Sequence, residues 1–356
     1  MQKRRELLRE KISGRRVGGI LITDPVNVRY LSGFTGSSGF IIITRKHSLF
    51  VTDFRYGEQA RSEVKGYTIR IERSERTGEI KDICDEYGIR TLGFEDHNVT
   101  FGFYRKLLKR KIKLRPFTGL VGSLRAVKSR QELACIRKAV SRAESAFQKL
   151  LPLIKTGVTE RKLALKLEEF LRKEGCKTLP FEVIVASGPM SALPHARPSD
   201  RKLRKGDLVV FDWGGEYNGY FSDMTRTVLM RGRSISRQKE LYYTVLEARN
   251  RAIKSVRPGI RSAAVDGAAR DYIRAAGYAD FFGHGTGHGV GLAVHEKPVV
   301  SWRNREIIEK NMVFTVEPGI YVPGFGGVRI EDMVAVGKKK ADVLTSLTGN
   351  LMIIAR

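Results

Sequence analysis

Short apolar runs alternate with charged stretches through the first third of the chain. GGILIT, GFIIIT, SLFVT, YTIRI and TLGF fall between Val17 and about Arg115, and the segments between them are charged and helix-like. Runs of that length bounded by turn residues read as buried strands, so the pattern predicts a small α/β domain. Ahead of it, MQKRRELLREKISGRR reads as an amphipathic helix. It is basic but lacks the apolar region and cleavage site of an export signal.

The pattern changes at the polar, basic GSLRAVKSRQ of residues 122–131. A domain boundary is expected there, with residues 1–124 in an N-terminal domain and 125–356 in a C-terminal one. Ser129, with Glu132 three residues on, predicts a capping box opening an amphipathic helix that runs to about Leu151, where Pro152 and Gly157 stop it. Thr159 caps a second helix that ends before Gly175. Strands are expected at 181–186, 208–213 and 220–229, helices at 238–256 and 262–276, and glycine-rich strands after Phe281. The C-terminal domain is therefore α+β. Its two helix pairs hold similar positions, as a diverged duplication would leave them.

At 356 residues the chain exceeds what one hydrophobic core usually serves, which supports two domains. With 42% hydrophobic and 29% charged residues it falls in the globular range, which argues against disorder. No stretch nears the ~20 consecutive apolar residues of a membrane helix, so no membrane partner and a cytoplasmic location are expected. Cys84, Cys135 and Cys176 are odd in number, contain no C-x-x-C pair, and read as reduced, small hydrophobic residues. A formal charge of +27 would suit nucleic acid or another polyanion. The densest basic run, RKLLKRKIKLR at residues 105–115, interleaves Leu and Ile as a half-buried helix or strand does, and reads as a solvated face.

Three segments put ionisable residues where strands would keep apolar ones. LVVFDWGGEYNGYFSDMTRTV carries Asp212 and Asp223 on two runs joined by Gly and Asn. A two-residue turn puts both carboxylates on one face: a turn at Tyr217-Asn218 opposes them directly, with Cβ atoms about 5 Å apart, and one at Asn218-Gly219 leaves them diagonal. Like charges so close repel, and a divalent cation removes the conflict. The alternative is a turn cap for one aspartate and Arg226 as partner for the other.

GHGTGHGVGLAVHE holds His284, His288 and His295, half of the six histidines in the chain, a density that points to a site. Its glycines exclude a helical zinc motif and permit close backbone approach to a ligand. VFTVEPGIYVPGFGGVRIEDMVAV sets Glu317 and Glu331 on either side of a Pro and Gly loop. If residues 323–327 form a five-residue loop, Glu331 faces Gly319, Glu317 lies one diagonal step away on the same face, and Asp332 turns to the other. Either glutamate could instead pair with Arg329 or a lysine. Asp212, Asp223, His288, Glu317 and Glu331 together offer four carboxylates and one imidazole, a charge match for two divalent ions. The oxygen-rich set favours manganese, with cobalt, zinc and iron as alternatives. Two such ions would hold and acidify a water, which is hydrolytic chemistry.

Along nearly its whole length the chain resembles the pita-bread metallopeptidases of the Xaa-Pro dipeptidase (prolidase) and Xaa-Pro aminopeptidase (aminopeptidase P) family. The matching pieces are GFTGSSG, TDFRY, RAVKSRQEL, ASGPMSALPHARPSD, FDWGGEYNGYFSDMTRT, GHGTGHGVGLAVHE, FTVEPGIY and VRIED. The resemblance implies a pita-bread catalytic domain behind a small creatinase-type N-terminal domain. It implies Asp212 on one metal ion, Asp223 and Glu331 bridging two, and His288 with Glu317 on the other. His195 and His295 would bind substrate and stabilise the intermediate, and His284 and Arg329 would line the same cleft and bind substrate there, Arg329 at a carboxylate further along. Glu317 would assist proton transfer as water attacks the carbonyl before proline. Trp213, and Ala293 where relatives often carry Glu, depart from the commonest spelling at positions that are not ligands. Short proline-containing peptides are the implied substrates and a homodimer the implied assembly. The competing reading is a non-catalytic protein of the same fold that binds nucleic acid or another polyanion. Such proteins lose metal residues, and here all five are present, so that reading is not favoured.

Overall fold

In the first of two units, Met1–Arg125, the apolar runs become β1 (Gly19–Ile22), β2 (Phe40–Thr44), β3 (Ser48–Thr52), β4 (Thr68–Ile71), β5 (Thr91–Glu95) and β6 (Lys113–Phe117). The computed structural model that shows this describes residues 1–355; Arg356, the last residue of the expected C-terminal domain, lies outside the described residues. The strands form one sheet in the order β4-β3-β2-β1-β5-β6. β1, β2 and β3 are buried at every position, which is why they read as unbroken apolar runs rather than alternating ones. The sheet is accompanied by α1 (Gln2–Ile12), α2 (Pro25–Ser32), α3 (Gly57–Glu63), α4 (Arg76–Glu86) and α5 (Phe101–Lys109). α3 and α5 supply the crossovers that the parallel pairs β3–β4 and β5–β6 require. The basic run spans the end of α5 and the edge strand β6, where Leu107 and Ile112 are buried while Lys113 and Arg115 are exposed. α6 (Leu120–Ala126) follows.

The second unit begins at Ala126. Ser129 and Glu132 form both bonds of a capping box on α7 (Arg130–Leu150), a device in which the cap alone contributes about 1 kcal/mol. Thr159 caps α8 (Glu160–Lys173) by accepting from Lys162 N. Then come β7 (Ile184–Ser187), β8 (Leu208–Trp213), β9 (Glu216–Tyr217), β10 (Tyr220–Phe221), β11 (Met224–Met230), α9 (Ser236–Ser255) and α10 (Ser262–Ala275). The glycine-rich remainder forms β12 (Gly287–Gly289), β13 (Glu296–Val300), β14 (Val313–Val316), β15 (Gly319–Val322), β16 (Gly326–Arg329), β17 (Asp332–Val336), β18 (Ala341–Val343) and β19 (Met352–Ile354). Two sheets, β19-β11-β8-β7 and β13-β12-β14-β17-β18, with the hairpin β15-β16, carry the site.

Each helix pair covers its own core. Ile136, Phe147 and Leu167 pack with Val209, Phe211 and Trp213, while Leu241, Val245 and Ile273 pack with Phe314, Val328 and Val334. Successive residues of a strand point to opposite faces, so Trp213 enters the first core as Asp212 leaves it. Trp213 stacks on Phe147 at 4.3 Å and gives its N–H to Ala143 O at 2.9 Å, which satisfies the one polar group it buries.

Asp332 turns away from Glu331, as alternation requires, and meets Arg226, a guanidinium with no exposed surface. Arg226 donates to Asp332 Oδ1 at 2.7 Å, Glu331 O at 2.6 Å, Leu347 O at 2.7 Å and Thr348 O at 3.1 Å. Arg249 and Thr345 complete the shell of Asp332. β19 then pairs in parallel with β11. All three cysteines are free, and burial pushes the Cys84 thiol up to about 12, which keeps it unreactive. No helix among the described residues is long and apolar enough to cross a membrane.

Candidate active site

Two hairpins and one short strand bring the ionisable residues together. The turn of the first hairpin is Asn218-Gly219, both at positive φ (51° and 78°). Tyr217 therefore pairs with Tyr220 and Asp212 opposes Thr225, which leaves Asp212 and Asp223 diagonal on one face.

The second hairpin corrects the expected register. Val322 pairs with Gly326, so the loop is residues 323–325 rather than 323–327. Gly324 and Gly326 adopt φ of +74° and +149°, conformations that close a loop this short and that a Cβ disfavours. Gly319 pairs with Arg329 and Val316 with Asp332. Glu317 and Glu331 thus come directly opposite one another instead of diagonal. Both stay on the same face because the loop is shorter by an even number of residues. Their backbone N–H groups turn outward, to Thr286 O at 2.8 Å and Thr225 O at 3.1 Å respectively.

His288 arrives on β12, which passes close between β13 and β14. A Cβ at Gly287 would lie 1.9 Å from Thr315 O, and one at Gly289 would lie 2.1 Å from Lys297 O; only glycines on both sides let the strand carry His288 there. Its Nδ1 faces Gly289 O at 3.2 Å. Nε2 then points at Glu317 Oε1, 3.3 Å away, and Asp223 Oδ2, 3.5 Å away. One donor atom each of Asp223, His288 and Glu331 lie within 4.8 Å of one another. Asp212 lines the same cleft, and its Oδ2 accepts from Arg329 Nη2 at 2.6 Å. Neither bland alternative occurs: Arg226 pairs with Asp332, and Arg329 pairs with Asp212.

Burial, followed by the charge of neighbouring carboxylates, pushes Asp223 and Glu331 well above the usual carboxylate range. Burial also raises Asp212, against the pull of Arg329. Asp212 Oδ1 and Glu331 Oε1 are buried with no hydrogen-bond partner among the described residues. An unpartnered buried polar atom costs about 1–3 kcal/mol, more when charged. A divalent cation, which accepts several oxygen donors and cancels their mutual repulsion, fits this donor set.

Around the carboxylates lies a cleft of about 900 Å³. His195 and His295 line it, and the His295 ring stands 4.2 Å from that of His288. Burial holds His295 below the usual histidine range. His284 Nδ1 meets Gly285 O at 2.7 Å, and Nε2 meets the Tyr321 hydroxyl at 2.9 Å. Burial depresses His284 as well, so a neutral ring donates from Nδ1 and accepts at Nε2. Tyr321 Oη also accepts from Arg329 Nη1 at 3.0 Å. Tyr321 belongs to the site and escapes a reading of the sequence, because a tyrosine in an apolar strand looks like core. Its place two residues past the Pro-Gly of VEPGIY is the only signal.

Residues 134–338 match metallopeptidase family M24, and residues 4–127 match the Creatinase/Prolidase N-terminal domain. The chain is similar to a Xaa-Pro dipeptidase of Pyrococcus horikoshii, with 38% identity covering 94% of this chain and 95% of that one. It is similar to the solved Xaa-Pro dipeptidase from Bacillus anthracis at 39% identity, with a TM-score of 0.96 over 99% of each chain. A third likeness is the X-Pro aminopeptidase from Thermotoga maritima, at 36% identity and a TM-score of 0.89, covering 97% of this chain and 99% of that one.

Proposed function

We propose, because the chain belongs to metallopeptidase family M24 and is a peptide hydrolase, that it releases the N-terminal residue of short peptides whose second residue is proline. The observation that carries this reading is that four carboxylates and one histidine line one cleft, with two buried carboxylate oxygens that lack partners. The activities for which the relatives are named, Xaa-Pro dipeptidase and X-Pro aminopeptidase, supply the substrate class. They also favour catalysis over polyanion binding. Asp212, Asp223, His288, Glu317 and Glu331 would hold two divalent ions, with manganese suited to so oxygen-rich a set. Bound there, the ions would supply Lewis acidity to the scissile carbonyl and lower the pKa of water.

The side chains supply the rest. Glu317 is oriented by Thr315 Oγ1, which donates to its Oε1 at 3.0 Å and accepts from His288 N at 3.0 Å. It thereby stands ready to take a proton from water and pass it to the leaving nitrogen. His295, kept neutral by burial, donates one N–H to the developing oxyanion, a kind of contact worth about 3 kcal/mol. His195 and His295 flank the proline ring, which has no N–H and must be held by shape. Arg329 lines the cleft with every nitrogen engaged, to Thr225, Pro194, Tyr321 and Asp212. Its part is to fix Asp212 and Tyr321. Kinetics on Xaa-Pro, Xaa-Pro-Yaa and Xaa-Ala-Yaa with metal-loaded protein test the reading, and equal rates for the last two would refute it. Elemental analysis tests the two ions, and sedimentation tests the homodimer.

A further inference from the structure

Beyond the carboxylates the cleft continues along one strand. His295 immediately precedes β13, which runs to Val300 before the chain turns through Ser301 and Trp302. Val299 stands opposite His288 in register and lines the cleft together with Trp302. Both are open to solvent, at 50% and 44% exposure, whereas the neighbouring Val300 is fully buried. Val299 and Trp302 thus share the cleft with His295 and His288.

Trp302 is held firmly despite its exposure. The Arg270 guanidinium lies 4.2 Å from the centroid of its ring and 4.2 Å from that of Phe282, between the two. Arg270 is itself fixed by a two-bond pair with the fully buried Asp266, at 2.7 and 2.9 Å. It also donates to Phe282 O at 2.9 Å and His284 O at 2.6 Å. Asp266 accepts in addition from Thr286 N at 3.0 Å and Thr286 Oγ1 at 2.9 Å. One arginine therefore ties the aromatic wall to the backbone that carries His284. A wall ordered before the substrate arrives loses little entropy on binding it.

We propose that Val299 and Trp302 form an apolar shelf that selects the residue after proline, and that Arg270 is the positioning residue that holds the shelf upright. The inference rests on the proline reading above and narrows it: the substrates are peptides of three or more residues with an apolar third side chain. Arg303, exposed and 5.2 Å from the Trp302 ring centroid, adds a positive charge to this rim and works against a cationic third residue.

The test uses manganese-loaded protein and the series Leu-Pro-Yaa with Yaa as Leu, Phe, Gly or Lys. Leu and Phe should exceed Gly about tenfold in kcat/KM, the effect of burying part of one apolar side chain, and Lys should be slowest. The gain should appear in KM, as for a contact made equally in ground and transition states. Trp302→Ala should bring the Leu-to-Gly ratio down to about one or two, and Arg270→Met should lower it partway. Trp302 is the exposed one of the two tryptophans, Trp213 being buried. Its emission should therefore shift on stopped-flow mixing with Leu-Pro-Leu and stay put with Leu-Pro. Equal rates for Leu and Gly in the native protein, an undiminished ratio in Trp302→Ala, or an emission unmoved by Leu-Pro-Leu would each overturn the shelf. Failure to cleave any Xaa-Pro peptide would instead remove the proline reading, and the emission experiment would still decide for or against the shelf.

Discussion

Glu95 at the end of β5 and Glu331 just ahead of β17 are both glutamates with 2% of their surface exposed. Glu95 accepts from Thr23 N at 2.8 Å, Asp24 N at 3.0 Å and Asn27 Nδ2 at 2.6 Å, so its own unit fills both oxygens. Glu331 takes a single side-chain bond, from Thr225 Oγ1 at 2.8 Å, and its Oε1 has none. Burial of a charge does not separate these two glutamates; the unfilled oxygen does. Asp332, one residue from Glu331, repeats the contrast, being as saturated as Glu95 by Arg226, Arg249 and Thr345.

The largest effect should come from Glu331→Gln, which keeps the shape and removes the charge. Turnover of metal-loaded protein should fall by more than about 100-fold, beyond the roughly 10–100-fold that removal of an outer partner of a metal ligand brings. Native turnover in a folded Glu331→Gln protein would erase the distinction. Chelation comes next. At a cation concentration about 100 times its Kd, binding adds about 2.7 kcal/mol, so removing the ion should lower Tm by about 5–10 °C, and restoring manganese should reverse the shift. Calorimetry on the two forms would show it, and identical transitions would mean that the unfilled oxygens are not waiting for an ion.

Glu95→Gln should give the opposite profile to Glu331→Gln. An amide sets an N–H₂ where three donors converge, at a cost of about 1–3 kcal/mol in urea unfolding, while kcat/KM stays at the native value. The smallest effect is one of pH. Burial raises Glu95 above its ordinary value of 4.5 despite its donors. A raised carboxylate pKa means that the folded state binds the proton more tightly than the unfolded chain does. Glu95 therefore penalises folding above its folded pKa, and the penalty fades as pH falls through that value towards 4.5. The glutamine carries no such proton. The stability gap between native protein and Glu95→Gln should accordingly widen from pH 7 to pH 5, and a narrowing gap would show that the donors outweigh burial.

Periodicity and caps made most of the fold legible. The helices opened by Ser129 and Thr159 follow from local chemistry alone, and Asp212 stands out because a strand of Val and Phe has no use for a carboxylate. Register was harder to read. Residues 323–327 contain three glycines, which close a loop of three residues as readily as one of five, and only the packed sheet decides between them. Asp266 and Arg270 lay out of reach for another reason. Four apart on a helix, they read as an ordinary surface pair, and their roles depend on Thr286, His284 and Trp302, which no local pattern connects to them.

Arg226 draws two of its acceptors from Leu347 and Thr348, and β11, which follows directly on Asp223, has β19 as its outer neighbour. These partners follow Asp212, Asp223 and His288 in the chain. A growing chain exposes Asp212, Asp223 and His288 well before the carbonyls that seat Arg226, and with it the backbone of Glu331, have left the ribosome. Until Leu347 and Thr348 are in place, Arg226 lacks two of its acceptors and the site should be unformed. A chain cut short before Thr348 should fail outright as a catalyst rather than survive as a less selective one.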